Sequence, residues 1–464
     1  MKVQELHLKN FRGFEDVKIE FPGSNLAVFV GKNGAGKSSA LDCIAIFLSL
    51  FIENLTRRND SISNDVKNIN FPLKYTDINE SYNNTDNNIK FIAPITQSTN
   101  MPCFTLSDTI KTFRLGFSEH LPLSHEDVAN NIPSIVNTDT IENIDTGKIF
   151  TQLIQTPHLN LPVLVYYQTN RTISKGSNHK PSQSSTKYKQ LLSYENAFSK
   201  NLTNLSDFVS WFKIEEDIEN EIKIKKKDFN AVNKNLEIIR NALTAFFILF
   251  GSCKFSGLHV QRENREREFA FNAYEKYSLA VIKQGLTLNI EQLSEGERIL
   301  LLMVSDIARR LAIANPSSDN PLKGCGIVLI DEIDLHLHPQ WQRDVIPALL
   351  NTFPNIQFIV TTHSPQVLSN VEKDDIRIIE DFKIVEKTPH TKGRDTNSIL
   401  YELHGVQERP ELYKNKLRQL YDLIDDEKIK EAENILKELT EKFGENDVEI
   451  VKADMHLDFA LEEQ

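Results

Sequence analysis

The chain has 464 residues, of which 40% are hydrophobic and 25% are charged. This length and composition predict a folded protein of two or three domains, and they exclude a disordered chain or a disulfide-stabilised miniprotein. The formal net charge is −12, so any nucleic acid must be held by a local basic surface and not by the overall charge. The four cysteines lie far apart without a CxxC pair, which is typical of a reducing cytoplasm.

No targeting or membrane-spanning segment is predicted. The opening MKVQELHLKNF lacks the apolar run of a secretory signal. The longest apolar stretches, residues 43–52 and 242–250, fall short of the roughly 20 residues that cross a bilayer. We therefore expect a cytoplasmic protein without a membrane partner.

The first 56 residues predict strands, a glycine-rich loop and a helix, in that order. VQELHLKNF and VKIEF alternate apolar and polar residues, and LAVFV at residues 26–30 is a short apolar run. GKNGAGKSS follows, and the next residues have the length and apolar content of a buried helix. Residues 57–160 are rich in Asn, Thr and Ser without a sustained period, so we expect an irregular insertion there.

The middle of the chain predicts another core strand and a short helical arm. LPVLVYY at residues 161–167 is the strand; we assign residues 161–193 to the core and note Gln168 directly after the strand. Residues 194–254 contain no proline and suit an arm of two or three helices. The arm carries a lysine cluster that is either a solvated helix face or a surface for nucleic-acid phosphates, namely Lys223, Lys225, Lys226 and Lys227.

Residues 255–394 predict the second half of the core. An alternating segment predicts antiparallel strands that lead to LSEGERILLLMVSDIARRLAIA, an apolar helix with a Ser-Glu-Gly start. GIVLI and IQFIVT are nearly continuous apolar runs, as in parallel strands covered on both faces. Residues 395–464 predict a helical C-terminal unit. Its apolar residues form two helix faces, one of Leu417, Leu420, Tyr421 and Ile424 and one of Ile429, Ala432, Leu436, Leu439 and Phe443.

Residues 31–38, GKNGAGKS, match the phosphate-binding pattern GxxxxGK(S/T). Because a strand precedes the loop and a helix follows it, backbone N–H groups can cradle phosphates, Lys37 can reach the β and γ phosphates, and Ser38 can ligate Mg²⁺. The simpler alternative is a glycine-rich turn with a surface lysine. The residues expected to bind the nucleotide here are Gly31, Asn33, Gly34, Ala35, Gly36, Lys37, Ser38 and Ser39.

Two further segments carry chemistry. GIVLIDE ends a buried strand in two carboxylates, where Asp331 can hold Mg²⁺ and Glu332 can polarise the attacking water; two acids that merely cap a strand are the alternative. LSEGE places a Ser hydroxyl and a Gly amide at a helix N-terminus, which is either an anion site or only a helix cap. With the phosphate loop, the acidic pair predicts a nucleotide hydrolase.

The order GKNGAGKS, LSEGE, IVLIDE, TTHS resembles the ABC-type ATPase heads of the SMC, RecF and OLD-like group. The opening LHLKNFRGFEDVKIEF and the segment DEIDLHLHPQWQ resemble this group as well. The resemblance implies an α/β fold: an ABC/SMC-like P-loop ATPase head with a mixed, largely parallel sheet flanked by helices, a short helical arm and a helical C-terminal unit. It also implies a head-to-tail homodimer, in which ATP at Lys37 of one subunit is completed by the LSEGE signature of the other through Ser294, Gly296 and Glu297.

The same resemblance assigns roles to single residues. Asp334 falls in the D-loop, which crosses the dimer interface, and His363 is the switch histidine at the γ-phosphate, unless it is an ordinary strand-end histidine. Gln168 is the candidate Q-loop glutamine near the metal, with Arg171 close by. Arg12 in NFRGF matches the arginine that packs near the nucleotide, although a surface arginine in a turn is the alternative.

Two histidines beside the acidic pair, His336 and His338 in LHLHP, are expected to have structural or interface roles, and we expect no zinc site there.

The ending from GRDTNSILYELHG onward resembles PtuA-type ATPases of Septu and retron-linked anti-phage systems. Asp395, Asn397 and Ile399 contribute to this resemblance, but no chemical role is assigned to them. The resemblance implies a separately encoded HNH nuclease (PtuB-like) that docks on the tail or arm. The tail is too short for a Toprim nuclease, so no nuclease site of its own is expected. The resemblance leaves open three further associations: binding of DNA, binding of a retron reverse transcriptase with its RNA–DNA product, and assembly into higher oligomers.

We therefore predict a slowly hydrolysing ATPase that senses and controls a nuclease in anti-phage defence, with ATP and Mg²⁺ bound. One alternative is a RecF/SMC-like DNA repair ATPase that acts without a nuclease. Another is a nucleotide-gated scaffold that does not hydrolyse ATP.

Overall fold

The computed structural model describes residues 1–57, 89–92, 112–115, 160–169, 189–199, 205–251, 255–262 and 277–462. The chain forms two compact units, Met1–Arg394 and Asp395–Gln464. The predicted insertion at residues 57–160 lies outside the described residues except for two short strands and its borders, and Arg171 lies outside them too. No helix in the described part of the chain is long and apolar enough to cross a membrane.

A six-stranded sheet forms the centre of the first unit. In spatial order its strands are β13 (Lys383–Val385), β12 (Ile376–Glu380), β3 (Leu26–Val30), β11 (Ile356–Thr361), β10 (Gly326–Ile330) and β6 (Val163–Tyr167). All neighbours are parallel except β12 and β13. Every residue of β3, β6, β10 and β11 is buried, because both faces of this sheet are covered. The parallel strands predicted from GIVLI and IQFIVT are confirmed.

Two antiparallel sheets accompany it. The first has the order β2 (Phe14–Glu20), β1 (Glu5–Phe11), β4 (Ile89–Ile92), β5 (Thr112–Leu115), and the second has the order β7 (Phe255–Arg262), β8 (Tyr277–Lys283), β9 (Leu286–Asn289). The second sheet confirms the antiparallel strands predicted before LSEGE. Arg12, in the turn between β1 and β2, has a φ of 50°.

The described helices of the first unit are α1 (Lys37–Arg57), α2 (Leu205–Lys226), α3 (Lys234–Phe247), α4 (Glu295–Ala314), α5 (Pro339–Thr352) and α6 (Pro365–Leu368). Helix α1 begins in the phosphate loop, and α4 begins in LSEGE. Helices α2 and α3 are consecutive and occupy the stretch predicted as an arm.

A fully buried ionic centre fixes α4 in the core. Asp306 accepts hydrogen bonds from Arg310 Nε at 2.8 Å, Arg309 Nη2 at 2.8 Å and the Tyr167 hydroxyl at 2.9 Å. Arg310 also donates to the Ser193 carbonyl oxygen at 2.6 Å. Burial alone would raise the pKa of Asp306, but the two guanidinium groups outweigh it and lower the pKa.

The second unit contains α7 (Thr396–His404), α8 (Glu411–Asp425), α9 (Ile429–Phe443) and α10 (Val448–Glu462). Its buried core confirms the two apolar faces predicted for α8 and α9, because most of their residues are buried there and the rest pack against them. Each Leu or Ile buried in this way stabilises the fold by roughly 1.5–3 kcal/mol. The fully buried members of the core are Leu417, Leu420, Ile424, Ala432, Leu436, Leu439, Ile450, Ala453 and Leu457.

Candidate nucleotide-binding site

The candidate site lies at the carboxyl ends of three adjacent strands. The phosphate loop follows β3, the pair Asp331 and Glu332 follows β10, and His363 comes two residues after the end of β11. Ligands of open parallel sheets bind at this edge, because the loops after neighbouring strands converge there. Residues from both ends of the first unit, Gly31 in the loop and His363 after β11, are thereby brought into one site.

Lys37 is almost fully enclosed by the loop, with 6% of its surface exposed. Its Nζ donates to the carbonyl oxygens of Gly31 and Lys32, both at 2.9 Å. Burial lowers the pKa of Lys37, and the nearby carboxylates of Asp331 and Glu332 oppose that shift. The Lys37 cation is thus held within the loop by two backbone carbonyl oxygens.

The loop needs glycine at position 36. Gly36 has a φ of 106°, which side chains rarely adopt, and a Cβ there would lie 2.7 Å from the Phe382 ring and 2.8 Å from the Phe14 ring. The two rings pack edge to face with centroids 5.3 Å apart. The Phe382 N–H also donates to the Ala35 carbonyl oxygen at 3.2 Å, so the β12–β13 turn braces the phosphate loop.

Asp331 joins the phosphate loop to the neighbouring strand. The Ser38 hydroxyl donates to Asp331 Oδ1 at 3.0 Å, and the Thr361 hydroxyl donates to the same oxygen at 2.6 Å. The Glu332 N–H in turn donates to Thr361 Oγ1 at 2.7 Å. Glu332 has a φ of 47°, an unfavourable conformation for a residue other than glycine, and this bond helps to hold it.

These elements enclose a cavity of about 180 Å³. Of the nine described residues that line it, eight are predicted site residues: Asn33, Gly34, Gly36, Lys37, Ser38, Ser39, Glu332 and His363. The ninth is Phe382, which was not predicted. The cavity therefore combines a phosphate cradle, a carboxylate, an imidazole and an aromatic ring.

Other predicted residues lie around the cavity without lining it. Gly31 and Ala35 belong to the loop itself, and Asp331 contacts Ser38 from behind. Arg12 donates to Asp42 at 2.7 Å and to the Ser39 hydroxyl at 3.2 Å, so it packs on the start of α1.

Gln168 is half-buried and follows Tyr167, whose carbonyl oxygen accepts from the Asp331 N–H at 2.8 Å. Gln168 is therefore next to the residue that is hydrogen-bonded to Asp331, but it is not among the described residues that line the cavity.

The LSEGE segment forms a capping box at the start of α4. Ser294 Oγ accepts from the Glu297 N–H at 3.4 Å, and Glu297 Oε2 accepts from the Ser294 N–H at 3.0 Å. Burial raises the pKa of Glu297, but the hydrogen bond from Lys283 and the capping contacts bring it below the usual value. A Cβ on Gly296 would lie 2.4 Å from the His336 carbonyl oxygen, so this position also requires glycine. None of the described residues that line the cavity belongs to this segment.

Asp334 connects the segment after β10 to the segment after β11. The Thr362 hydroxyl donates to Asp334 Oδ1 at 2.6 Å, and Thr362 Oγ1 accepts from the Ser364 N–H at 3.0 Å. The Ser364 hydroxyl donates to Gln342 on α5 at 2.7 Å. This network fixes the backbone on both sides of His363, so the imidazole is positioned by the chain that carries it.

The two other histidines have structural contacts. His338 caps α5 by accepting from the Gln340 N–H at 3.3 Å, and His336 lies 3.5 Å from Glu295. No group of three or more His, Cys, Asp or Glu within the described ranges has the geometry of a metal site.

Sequence reasoning missed several residues of the site. Asp42 accepts from Arg12 and, at 2.8 Å, from the Tyr166 hydroxyl; burial raises the pKa of Asp42, and Arg12 partly offsets this. Asp42 could have been suspected, because a lone acid within an apolar helix needs a buried partner. Phe382 gave no comparable signal.

The fold and this site define a P-loop nucleotide-binding ATPase head. Residues 1–368 match the AAA ATPase domain family, and the chain belongs to this family. The Retron Ec83 probable ATPase of Escherichia coli is 29% identical over an alignment of 514 positions including gaps, which covers 99% of this chain and 87% of that protein. The Septu protein PtuA of Bacillus mycoides is 25% identical over 52% of this chain and 32% of its own length.

Among solved structures, the SMC head domain from Thermotoga maritima aligns with a TM-score of 0.39 and 15% identity, over 84% of this chain and all of that one. The resemblance to Septu and retron ATPases that the sequence predicted is confirmed by the relatives above.

Proposed function

We propose that this protein is the ATP-binding and hydrolysing sensor subunit of an anti-phage defence complex, and that it controls a separately encoded HNH nuclease through ATP-dependent dimerisation of its heads. The observation that carries the ATPase part is that Lys37, Ser38, Glu332 and His363 line the same cavity. The defence part rests on the names of its relatives, a retron ATPase and a Septu protein.

The residues present fit a magnesium nucleotide. Backbone N–H groups of residues 33–39 and the N-terminus of α1 favour phosphate oxygens, and Lys37 supplies a cation. Ser38 and Asp331 offer two hard oxygen ligands 3.0 Å apart, which suits Mg²⁺. When bound, the ion would supply charge neutralisation on the phosphates.

The catalytic groups are Glu332 and His363. Glu332 lines the cavity and is held by the Thr361 hydroxyl, so its carboxylate can orient a water molecule toward the terminal phosphate. His363 borders the same cavity and can donate a hydrogen bond to the γ-phosphate. The half-buried Phe382 ring is an apolar wall for the nucleoside, since it packs at Gly36, where the loop passes into α1.

A second copy would complete the site. Ser294, Gly296 and Glu297 form an ordered helix N-terminus, yet they do not line the described cavity of their own chain. In a head-to-tail dimer, the helix N-terminus at Ser294 of one subunit would bind the phosphates of the nucleotide held by the other subunit. Such a dimer therefore requires this N-terminus to lie away from the nucleotide cavity of its own chain. Hydrolysis by isolated heads should accordingly be slow.

The test is co-purification of the protein with the product of its neighbouring gene, with and without ATP, followed by a DNA cleavage assay. Lys37→Ala should abolish ATP binding and nuclease control, whereas Glu332→Gln should bind ATP, accumulate as a dimer and hydrolyse poorly. Lys373→Ala and Glu386→Gln are the matched controls, because both side chains are exposed outside the cavity.

A protein that purifies alone, dimerises with ATP and binds DNA without cleavage in any complex would instead be a repair ATPase. Unchanged ATP binding in Lys37→Ala would remove the site assignment.

A further inference from the structure

The end of the arm exposes apolar side chains among lysines. We call residues 223–232, at the end of α2 and the start of the loop that leads to α3, the arm tip. Phe229 is 90% exposed, Ile224 is 76% exposed and Val232 is 49% exposed. A phenylalanine with nearly its whole surface in water is uncommon in a folded protein. Exposed apolar residues that lie close together, as here, are typical of an interaction surface.

The loop that carries these residues is held by its own hydrogen bonds. Glu219, 2% exposed, accepts from the Asn233 N–H at 3.1 Å and from Arg240 at 2.9 Å. The Asn233 side chain donates to Glu215 Oε2 at 2.7 Å and also caps α3 by accepting from the Asn235 N–H at 2.9 Å.

At the tip itself, Asp228 Oδ1 accepts from the Asn230 N–H at 2.9 Å, beside Phe229. The exposed ring is therefore presented by a defined loop and not by a frayed end.

The same residues concentrate positive charge on an acidic protein. From Lys223 to Phe229 there are four lysines and one aspartate, a net charge of +3 in a chain whose total is −12. Lys223 lies 3.5 Å from Glu219, and Lys225 lies 3.1 Å from Glu221. Within the part of the chain that the structure describes, Lys226 and Lys227 form no salt bridge. These two cations are available to a negatively charged partner.

We propose that the arm tip is a binding site for single-stranded nucleic acid, with Phe229 stacked on an unpaired base and Lys226 and Lys227 on the backbone phosphates. A basic surface with an exposed aromatic ring is the combination that binds unpaired strands. Phe229 cannot stack on a base inside an intact duplex, so single strands are preferred over duplex. Ile224 and Val232 flank the ring and can contact the sugar or the base face.

Other partners fit less well. Lysine is depleted and arginine is enriched in the cores of protein–protein interfaces, whereas here lysines flank Ile224 on both sides and precede Phe229. Helices that lie on membranes present a long continuous apolar face. Here the two most exposed apolar side chains, Ile224 and Phe229, lie at the end of α2 and in the loop after it, whereas Ile214 and Ile218 further back on α2 are only 41% and 42% exposed.

The test uses the full-length protein and fluorescein-labelled DNA of mixed sequence, about 20 nucleotides long, single-stranded or as a duplex of equal length. Fluorescence anisotropy should show tighter binding of the single strand. Phe229→Ala should weaken that binding by about 5- to 100-fold, because the variant loses the stacking of the ring on one base. Phe229→Trp should preserve binding, because tryptophan can stack in the same way. Leu286→Ala, which removes another exposed apolar side chain, is the matched control and should bind normally.

A salt titration tests the lysines separately. Replacing both Lys226 and Lys227 by Gln should lower the slope of log K against log salt by about 1.4, because each phosphate contact of a single strand contributes about 0.7. Lys373→Gln should leave the slope unchanged.

Equal affinity for single strand and duplex, or unchanged binding by Phe229→Ala, would overturn the proposal. Binding to vesicles of phosphatidylserine and phosphatidylcholine, lost in Phe229→Ala and unaccompanied by oligonucleotide binding, would overturn it in favour of a membrane surface. Because Phe229 is exposed, its replacement should leave thermal unfolding unchanged. The ATPase measurements do not involve the arm tip, so failure of the proposed ATPase function would leave this result interpretable.

Discussion

Two buried aspartates in the first unit differ in their hydrogen-bond partners. Asp306 is fully buried and accepts hydrogen bonds from Arg309, Arg310 and Tyr167, so two guanidinium groups balance its negative charge. Asp331 is 3% exposed, and its contacts with Ser38 and Thr361 are with neutral hydroxyl groups beside the cavity.

The difference shows how one fold uses buried charge in two ways. Around Asp306 the cations are supplied by the protein, so the centre is complete and its role is to hold α4 against β6. At Asp331 the hydrogen bonds come from neutral hydroxyl groups, with the Lys37 cation nearby, and the oxygens of Ser38 and Thr361 can also bind a metal cation. The first centre should therefore govern stability, and the second should govern chemistry.

The largest expected effect on stability is that of Asp306→Asn. It leaves Arg310, 1% exposed, as a buried cation with its carboxylate partner removed, so the free energy of unfolding should fall by about 3–5 kcal/mol. Chemical denaturation measures this change, with Asp319→Asn on the surface as the control. ATP turnover per folded molecule should remain at the wild-type level; a parallel loss of turnover in folded protein would contradict the division of roles.

Asp331→Asn should have the converse effect. The amide oxygen can still accept from Ser38 and Thr361, so the free energy of unfolding should change by less than about 1 kcal/mol. Loss of the carboxylate ligand should slow magnesium-dependent ATP hydrolysis by about 10²–10³-fold. Steady-state phosphate release and denaturation on the same preparation measure the two effects. A variant that hydrolyses normally but unfolds easily would assign Asp331 to structure instead.

The acid dependence of stability sharpens the contrast. The folded pKa of Asp306 is lowered from 3.8 because the arginines outweigh burial, so the unfolded chain binds this proton more readily. The stabilisation by Asp306 is present above pH 4 and is lost as the pH falls through the lowered folded pKa. In that window this carboxyl should contribute a slope of up to about 1.4 kcal/mol per pH unit.

The measurement is denaturant unfolding of the wild type and of Asp306→Asn between about pH 5 and the acid limit of folding. The slope of the variant should be shallower in the acid part of the range. Parallel curves would show that Asp306 does not titrate with folding.

Local patterns predicted much of this molecule. The phosphate loop, the parallel strands and the helix faces around Leu420 and Leu439 each depend on residues close together in the sequence, and the structure has them where the patterns indicate. The sequence alone indicates that the loop carrying Lys37 lies beside Asp331, the residue after β10. It does so only because the carboxyl ends of parallel strands lie at the same edge of a sheet.

Long-range contacts gave no such pattern. The bond between Arg12 and Asp42 joins the β1–β2 turn to α1, and the Asp306 centre joins α4 to β6 across 139 residues. Phe382 contacts Gly36 from a turn 346 positions further along the chain, and nothing near Phe382 in the sequence indicates a ligand. The role of Phe382 and the partners of Asp42 and Asp306 are identified only when the tertiary packing is known.

Phe382 is the subject of the smallest predicted effect. If its ring faces the nucleoside, Phe382→Ala should weaken ATP binding about fivefold to tenfold, as expected for one lost stacking contact. Binding of inorganic tripolyphosphate, which has no nucleoside, should not change, and Phe382→Leu should be intermediate. Isothermal titration with both ligands separates the two possibilities. Equal weakening of ATP binding and tripolyphosphate binding would mean that Phe382 acts only by bracing the loop at Gly36. Phe382 would then be a structural residue, as Asp306 is, and would not contact the nucleoside.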